Sequence, residues 1–105
     1  MLISRSSIDQ TIKIWSSLTW TCLKTWKEKY HINSIAIINN NCFATLFTNN
    51  IKVWKLKSDY TITKDCEFEN EYILIGDTQI TLARINDSQI VSIGSLSIQV
   101  ININI

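Results

Sequence analysis

The sequence has no proline and only two glycines, Gly76 and Gly94, so the two residues that most often form turns are almost missing. Turns must therefore rely on asparagine, aspartate and serine, as in the runs at residues 39–41 and 49–50. Asparagine tolerates the left-handed backbone conformation better than most residues, and its side chain can hydrogen-bond the backbone two residues on. We therefore expect short connections built on these side chains.

Signals for membranes and nucleic acids are also missing. No apolar run reaches the length of a membrane span, and residues 1–5 lack the apolar region of a signal peptide. Lysine and arginine are scattered, and the formal net charge is +1, so no broad field attracts nucleic acid or a membrane surface. The sequence predicts a cytoplasmic protein with no membrane partner, and it disfavours a nucleic-acid partner.

Signals for catalysis are equally scarce. The three cysteines, Cys22, Cys42 and Cys66, are widely spaced, and the single histidine, His31, cannot complete a zinc site with them. We expect reduced, mostly buried thiols; the alternative, a catalytic Cys–His pair, has no local support. The sequence contains no carboxylate pair with a plausible base, no Ser-His-Asp set and no Gly-rich phosphate loop. It therefore predicts no enzyme, no catalytic residue, no cofactor and no metal.

What the sequence does contain is a repeated strand pattern. The stretch TIKIW at residues 11–15 returns as NIKVW at 50–54 and, more faintly, as SIQVI at 97–101. Each copy alternates β-branched apolar residues with other residues, which is the period of a strand. The second and third copies align without a gap, with residues 43–46 over 90–93, and residues 2–4 correspond to 43–45. The chain is therefore a repeat array.

The pattern predicts short strands and no helix. Most connections between them have two to five residues, which favours antiparallel neighbours. Residues 72–75 are either a further strand or a packed loop. The predicted strands are Leu2–Arg5, Thr11–Trp15, Thr21–Trp26, Asn33–Ile38, Cys42–Phe47, Ile51–Leu56, Asp59–Lys64, Gln79–Ile85, Gln89–Gly94 and Ser97–Asn102.

A unit of about forty residues with four short strands, the third ending in Ile-Lys-Ile-Trp, resembles the WD repeat of β-propellers. The segment SRSSIDQTIKIW at residues 4–15, followed by TCLKTW, shows this resemblance most clearly. It implies an all-β fold of antiparallel four-stranded blades that stays incomplete, and so open, in a single chain. About two and a half blades are expected: 1–26 the end of the first, 27–64 the second, and 65–105 the third with an inserted loop near 65–79. The structural repeat residues are Asp9, Trp15, Trp54 and Ile101.

The blades depart from the family pattern. The usual Gly-His before the innermost strand is missing, because His31 lies a few residues too late. The usual aspartate before the third strand survives only as Asp9. The buried Asp–His–Ser/Thr–Trp hydrogen-bond network of the family is therefore expected to be incomplete in every copy.

The resemblance implies a non-catalytic scaffold for a protein or peptide partner. The insertion DCEFENEY at residues 65–72 alternates acids with aromatics, and a loop on a rigid scaffold is a common place for binding. We hypothesise that it docks a basic segment with Phe68 and Tyr72 as anchors; the alternative is a solvated loop with one aromatic tucked into the sheet. The candidate partner-binding residues are Glu67, Phe68, Glu69, Glu71 and Tyr72.

An open array leaves apolar blade faces uncovered, and two explanations follow. Either the chain is a piece of a larger propeller, or several copies close a ring as a homo-oligomer. Two other functional interpretations stay open. The chain could be an inactive structural fragment without independent activity, or a non-catalytic part of a multidomain enzyme or of a ubiquitin-ligase-type substrate receptor.

Overall fold

The computed structural model describes residues 2–6, 9–47, 50–69, 79–95 and 97–103. Within these ranges the chain forms ten strands and no helix, which confirms the predicted all-β class. Residues 72–75 lie outside the described residues. The strands are β1 (Leu2–Arg5), β2 (Thr11–Trp15), β3 (Cys22–Lys27), β4 (Ser34–Asn39), β5 (Cys42–Leu46), β6 (Asn50–Leu56), β7 (Ile62–Glu69), β8 (Gln79–Asn86), β9 (Gln89–Gly94) and β10 (Ile98–Asn102).

The described strands form three antiparallel sheets, and within them each strand pairs with its neighbours in sequence. The N-terminal sheet contains β1, β2 and β3, the central sheet contains β4 to β7, and the C-terminal sheet contains β8, β9 and β10. None of the three closes on itself into a barrel. Short asparagine turns make this possible: the Asn39 side chain accepts a hydrogen bond from the Asn41 amide at 2.8 Å, and Asn86 accepts one from the Ser88 amide at 2.9 Å.

The sequence repeat is also a repeat of strand register. Leu2 lies opposite Trp15 in the N-terminal sheet, and Phe43 lies opposite Trp54 in the central sheet. In the C-terminal sheet the corresponding pair is Ile90 and Ile101. In each sheet, the next residue pair of the same ladder is also equivalent to its counterparts in the other two sheets. Since a one-residue slip would turn every side chain to the other face, this shared register gives the three sheets the same inward and outward positions.

The three sheets stack face to face, and the central sheet lies between the other two. Phe43 and Leu56 pack with Ile14 of the N-terminal sheet, while Ala44 and Val53 belong to a second core shared with the C-terminal sheet. All five residues of β5 are buried. A strand with no exposed position requires cover on both faces, which the stack supplies.

Polar side chains fix how the sheets sit against one another. Arg84 Nε donates to the carbonyl of Ile38 at 2.7 Å, linking the first strands of the C-terminal and central sheets. The Leu82 amide donates to Ser34 Oγ at 3.1 Å across the same boundary. On the other side, Arg5 Nη1 donates to the carbonyl of Ile32 at 2.8 Å. Apolar burial stabilises the stack, and these directional bonds select one position.

Strand β7 differs from its predicted extent. Its expected end was Lys64, with a loop from residue 65, but β7 runs to Glu69 and pairs with the whole of β6. The assignment of residues 65–69 to a loop was therefore wrong. The alternation of acidic and apolar residues there is the period of a strand, and Cys66 packs against the buried core. A register shift lies between Val53 and Trp54 in this pairing, and the N-terminal sheet has an equivalent shift between Ile14 and Trp15.

Candidate interaction surfaces

The predicted partner-binding segment is split by the structure. Glu67, Phe68 and Glu69 lie in β7 rather than in a loop, whereas Glu71 and Tyr72 lie outside the described residues. The Glu67 carboxylate pairs with Lys64 Nζ at 3.0 Å and accepts a hydrogen bond from the Asn50 side-chain amide. The bond from Lys64 holds the pKa of Glu67 below its usual value. A basic partner would therefore have to compete with these internal partners for the carboxylate.

The repeat tryptophans form a recurring hydrogen bond. Trp15 Nε1 donates to Ser4 Oγ at 2.9 Å, and Trp54 Nε1 donates to Thr45 Oγ1 at the same distance. Ser4 and Thr45 occupy equivalent positions, and Thr45 is fully buried. The same tryptophan–hydroxyl bond is therefore present in two sheets. In the C-terminal sheet the hydroxyl is kept as buried Ser92, while an aliphatic side chain replaces the tryptophan.

Two aspartates organise turns before strands. Asp9 Oδ1 accepts hydrogen bonds from the Thr11 hydroxyl at 2.7 Å and the Thr11 amide at 3.1 Å. Asp59 Oδ1 accepts from the Thr61 amide at 2.9 Å. In both cases the threonine hydroxyl is the main cause that lowers the pKa of the carboxyl, because hydrogen bonds favour the charged form.

These aspartates predict a pH dependence. A carboxyl whose pKa is lowered on folding contributes stability above its unfolded pKa, near 4, and loses it as the pH falls through the folded pKa. We expect the free energy of unfolding to fall on acidification below about pH 4. The double variant Asp9→Asn, Asp59→Asn should show a shallower fall, measured by urea unfolding between neutral and acid pH. Equal slopes in the variant and the wild type would contradict this assignment.

The C-terminal sheet exposes an apolar face whose counterpart in the central sheet is buried. Ile98 is 73% exposed, whereas its equivalent Ile51 is 1% exposed. Val100 is 54% exposed, and its equivalent Val53 is 0% exposed. We call this surface the C-terminal end face, defined by Ala83, Ile85, Val91, Ile93, Ile98 and Val100.

The N-terminal sheet exposes the face that is equivalent to the other side of the central sheet, the side that carries Phe43. Leu2 is 47% exposed, although its equivalent Phe43 in the central sheet is 0% exposed. Lys13 Nζ lies 5.9 Å from the Trp15 ring centroid on this side of the sheet. We call this surface the N-terminal end face, defined by Leu2, Ser4, Lys13 and Trp15. Both end faces carry residues that the central sheet keeps covered.

A cleft of about 320 Å³ opens between the N-terminal and central sheets, where the β2–β3 and β6–β7 turns meet the β4–β5 turn. Ile14 and Leu56, both buried, form its base. We call it the rim cleft. Its lining residues are Ile14, Trp15, Ser16, Ser17, Leu18, Leu23, Asn40, Asn41, Leu56, Lys57, Ser58 and Tyr60.

The three thiols differ in their exposure to solvent. Cys42 is buried and Cys66 is half-buried, but Cys22 is exposed, so the expectation of burial is wrong for Cys22. Burial is the main cause that raises the pKa of both Cys42 and Cys66, which keeps them as neutral thiols. Among the described residues, no three His, Cys, Asp or Glu side chains are grouped so that they could hold a metal ion. Nor does that part of the chain contain a helix that is long and apolar enough to cross a membrane.

The sequence reasoning overlooked the rim cleft and the identity of the end-face residues. A signal for the cleft was present, because the turns after both tryptophans end in an aromatic residue followed by threonine: Trp20-Thr21 and Tyr60-Thr61. Both aromatics have positive φ, 57° and 64° respectively. The sequence also did not indicate that Trp26, which is half-buried, packs against the core, with its ring centroid 6.0 Å from that of Phe43.

Comparison with known proteins finds a limited similarity to a splicing factor. Over 61 residues the chain is 33% identical to the pre-mRNA-splicing factor cwf17 of Schizosaccharomyces pombe. The match covers 56% of this chain but 18% of that protein, so this chain spans less than a fifth of the relative's length. No family model matches the chain.

Proposed function

We propose that this chain is a non-catalytic protein-interaction scaffold of the WD-repeat type. Its end faces receive further sheets of the same repeat, and its rigid rims present binding surfaces. The observation that carries the proposal is the contrast between the buried faces of the central sheet and the exposed, equivalent faces of the two outer sheets. The segment shared with the splicing factor is 18% of that protein and supports no partner for this chain.

The repeat supports this proposal because it defines what each end face fits. The C-terminal end face is equivalent to the side of the central sheet that packs against the C-terminal sheet. The N-terminal end face is equivalent to the side that packs against the N-terminal sheet. One end face is therefore complementary to the other by the rules that already operate inside the chain. In a solution that contains only this chain, the C-terminal end face of one copy can therefore be covered by the N-terminal end face of a second copy.

The expected contact is heterologous, because two different faces meet. Uncovered faces of this kind favour association, since each buried Å² of apolar surface contributes about 25 cal/mol. Asp9, Asp59 and Glu67 each have internal partners that organise turns or strands, which supports a scaffold rather than an enzyme.

Complementary blocking tests this function. Val100→Lys places a charge on the C-terminal end face, and Leu2→Lys places one on the N-terminal end face. Each variant retains one open face, so an equimolar mixture should form a one-to-one complex in size-exclusion chromatography with light scattering. Neither variant alone should associate, and the double variant should stay monomeric in the mixture with either.

A matched control is Tyr30→Lys, because Tyr30 is exposed but belongs to neither end face. This variant should associate as the wild type does. If the two blocked variants do not combine, or if each still associates alone, the end faces are not the complementary surfaces described here. Far-UV circular dichroism of every variant shows whether the sheets are retained.

A further inference from the structure

We propose that the rim cleft is a docking site for an extended acidic peptide that carries one large aliphatic side chain. This inference rests on the proposed function, because the cleft exists only where the N-terminal and central sheets stack as rigid layers. The end faces and the rim cleft share Trp15, so they are tested with variants at other positions, each of which belongs to one surface.

The cleft has the form of a site for a single side chain. Its volume, about 320 Å³, lies at the lower end of the range for ligand sites. Its apolar base, Ile14 and Leu56, is buried, and Leu23 and Tyr60 add apolar walls. At the mouth, Leu18 is 91% exposed, so covering it would remove apolar surface from water.

The polar lining selects the charge and the shape of the occupant. Among the described residues that line the cleft, Lys57 is the one charged side chain and none is a carboxylate. Lys57 forms no ion pair in the part of the chain that the structure describes, although its charge contributes to lowering the pKa of Asp59. Side chains of Asn40 and Asn41 add amide groups that can bond a peptide backbone. An anionic, extended segment therefore complements this lining.

Peptide is favoured over nucleic acid as the occupant. A nucleic-acid groove needs several cations along its length and aromatic platforms for the bases. The rim cleft offers one lysine and an apolar base that fits an aliphatic side chain. An oligonucleotide is therefore included in the test as a competing outcome.

The test uses the full chain and fluorescein-labelled hexapeptides in which one leucine is flanked by aspartates. Fluorescence anisotropy should show saturable binding below about 2 mM peptide, the affinity expected of a single shallow site. Peptides with lysine in place of aspartate, and labelled oligouridine, should bind at least fivefold more weakly. Equal binding of the acidic and basic peptides, tighter binding of oligouridine, or no saturation with the acidic peptide would overturn the proposal.

Variants locate the binding. Lys57→Glu should weaken the acidic peptide about five- to tenfold, because attraction becomes repulsion. Leu18→Ser should weaken it about threefold without unfolding, since Leu18 is exposed. The matched controls are Lys29→Glu, an exposed lysine outside the cleft, and Val100→Lys on the C-terminal end face. Both controls should bind the peptide as the wild type does.

The two proposals fail separately. Val100→Lys should prevent association between copies and keep peptide binding, whereas Leu18→Ser should keep association and weaken peptide binding. Normal peptide binding with no association in any mixture would remove the end-face proposal alone. Unchanged binding in both Lys57→Glu and Leu18→Ser would remove the rim cleft alone.

Discussion

Phe43→Ala is expected to lower the free energy of unfolding by about 3–5 kcal/mol, the range for truncating a buried phenylalanine. Phe43 is fully buried on the central sheet and lies between two tryptophans. Its ring centroid is 6.0 Å from that of Trp26 and 6.5 Å from that of Trp54. Truncation would leave a cavity at the boundary between the N-terminal and central sheets. Domains of this size have a net stability of about 5–15 kcal/mol, so the loss is a large part of the total.

The matched control is Leu2→Ala at the equivalent position of the N-terminal sheet. Because Leu2 is 47% exposed, we expect a loss below about 1 kcal/mol. Urea unfolding followed by tryptophan fluorescence measures both variants, at a protein concentration where association is the same. Similar losses at the two positions would show that the central sheet is not covered on this side.

Trp54→Phe should cost about 2–3 kcal/mol, because it removes an indole from the core and leaves the buried Thr45 hydroxyl without its donor. Trp15→Phe removes the equivalent bond to Ser4, but Ser4 is exposed and water can replace the lost donor. We expect a loss below about 1 kcal/mol there. Equilibrium unfolding in urea gives both values.

A double-mutant cycle separates the hydrogen bond from packing at Trp54. If the bond to Thr45 matters, Thr45→Val combined with Trp54→Phe should cost less than the two single variants together, since both polar partners are then removed. Strict additivity would mean that Trp54 acts through packing alone.

The sequence was sufficient to predict the strands, because the alternation of β-branched residues and the asparagine turns determine them locally. Nine of the ten strands end within two residues of their predicted ends. The exception is β7, where the pairing of Cys66 with Val53 extends the strand beyond Lys64. Pairing with a neighbour is a tertiary effect, so the local pattern alone did not fix that boundary.

The candidate surfaces were harder to predict, for a physical reason. Composition at Glu67 and Phe68 suggested an accessible loop, but the ladder between β6 and β7 takes up that backbone. The rim cleft joins residues from three separate turns, which the chain order does not bring together. Which apolar residues lie uncovered depends on where the stack ends, since Val53 and Val100 are alike in sequence and opposite in exposure.

Sedimentation velocity across a wide range of concentrations tests the central claim most directly. The account predicts that the wild-type chain associates through its end faces, so its mass rises from that of one chain, 12.1 kDa, with increasing concentration. A discrete product of two to three chains would indicate a closed ring, and a continuing rise would indicate open head-to-tail stacking. A mass that stays at 12.1 kDa throughout would contradict the account, because both end faces would then be stable without a partner.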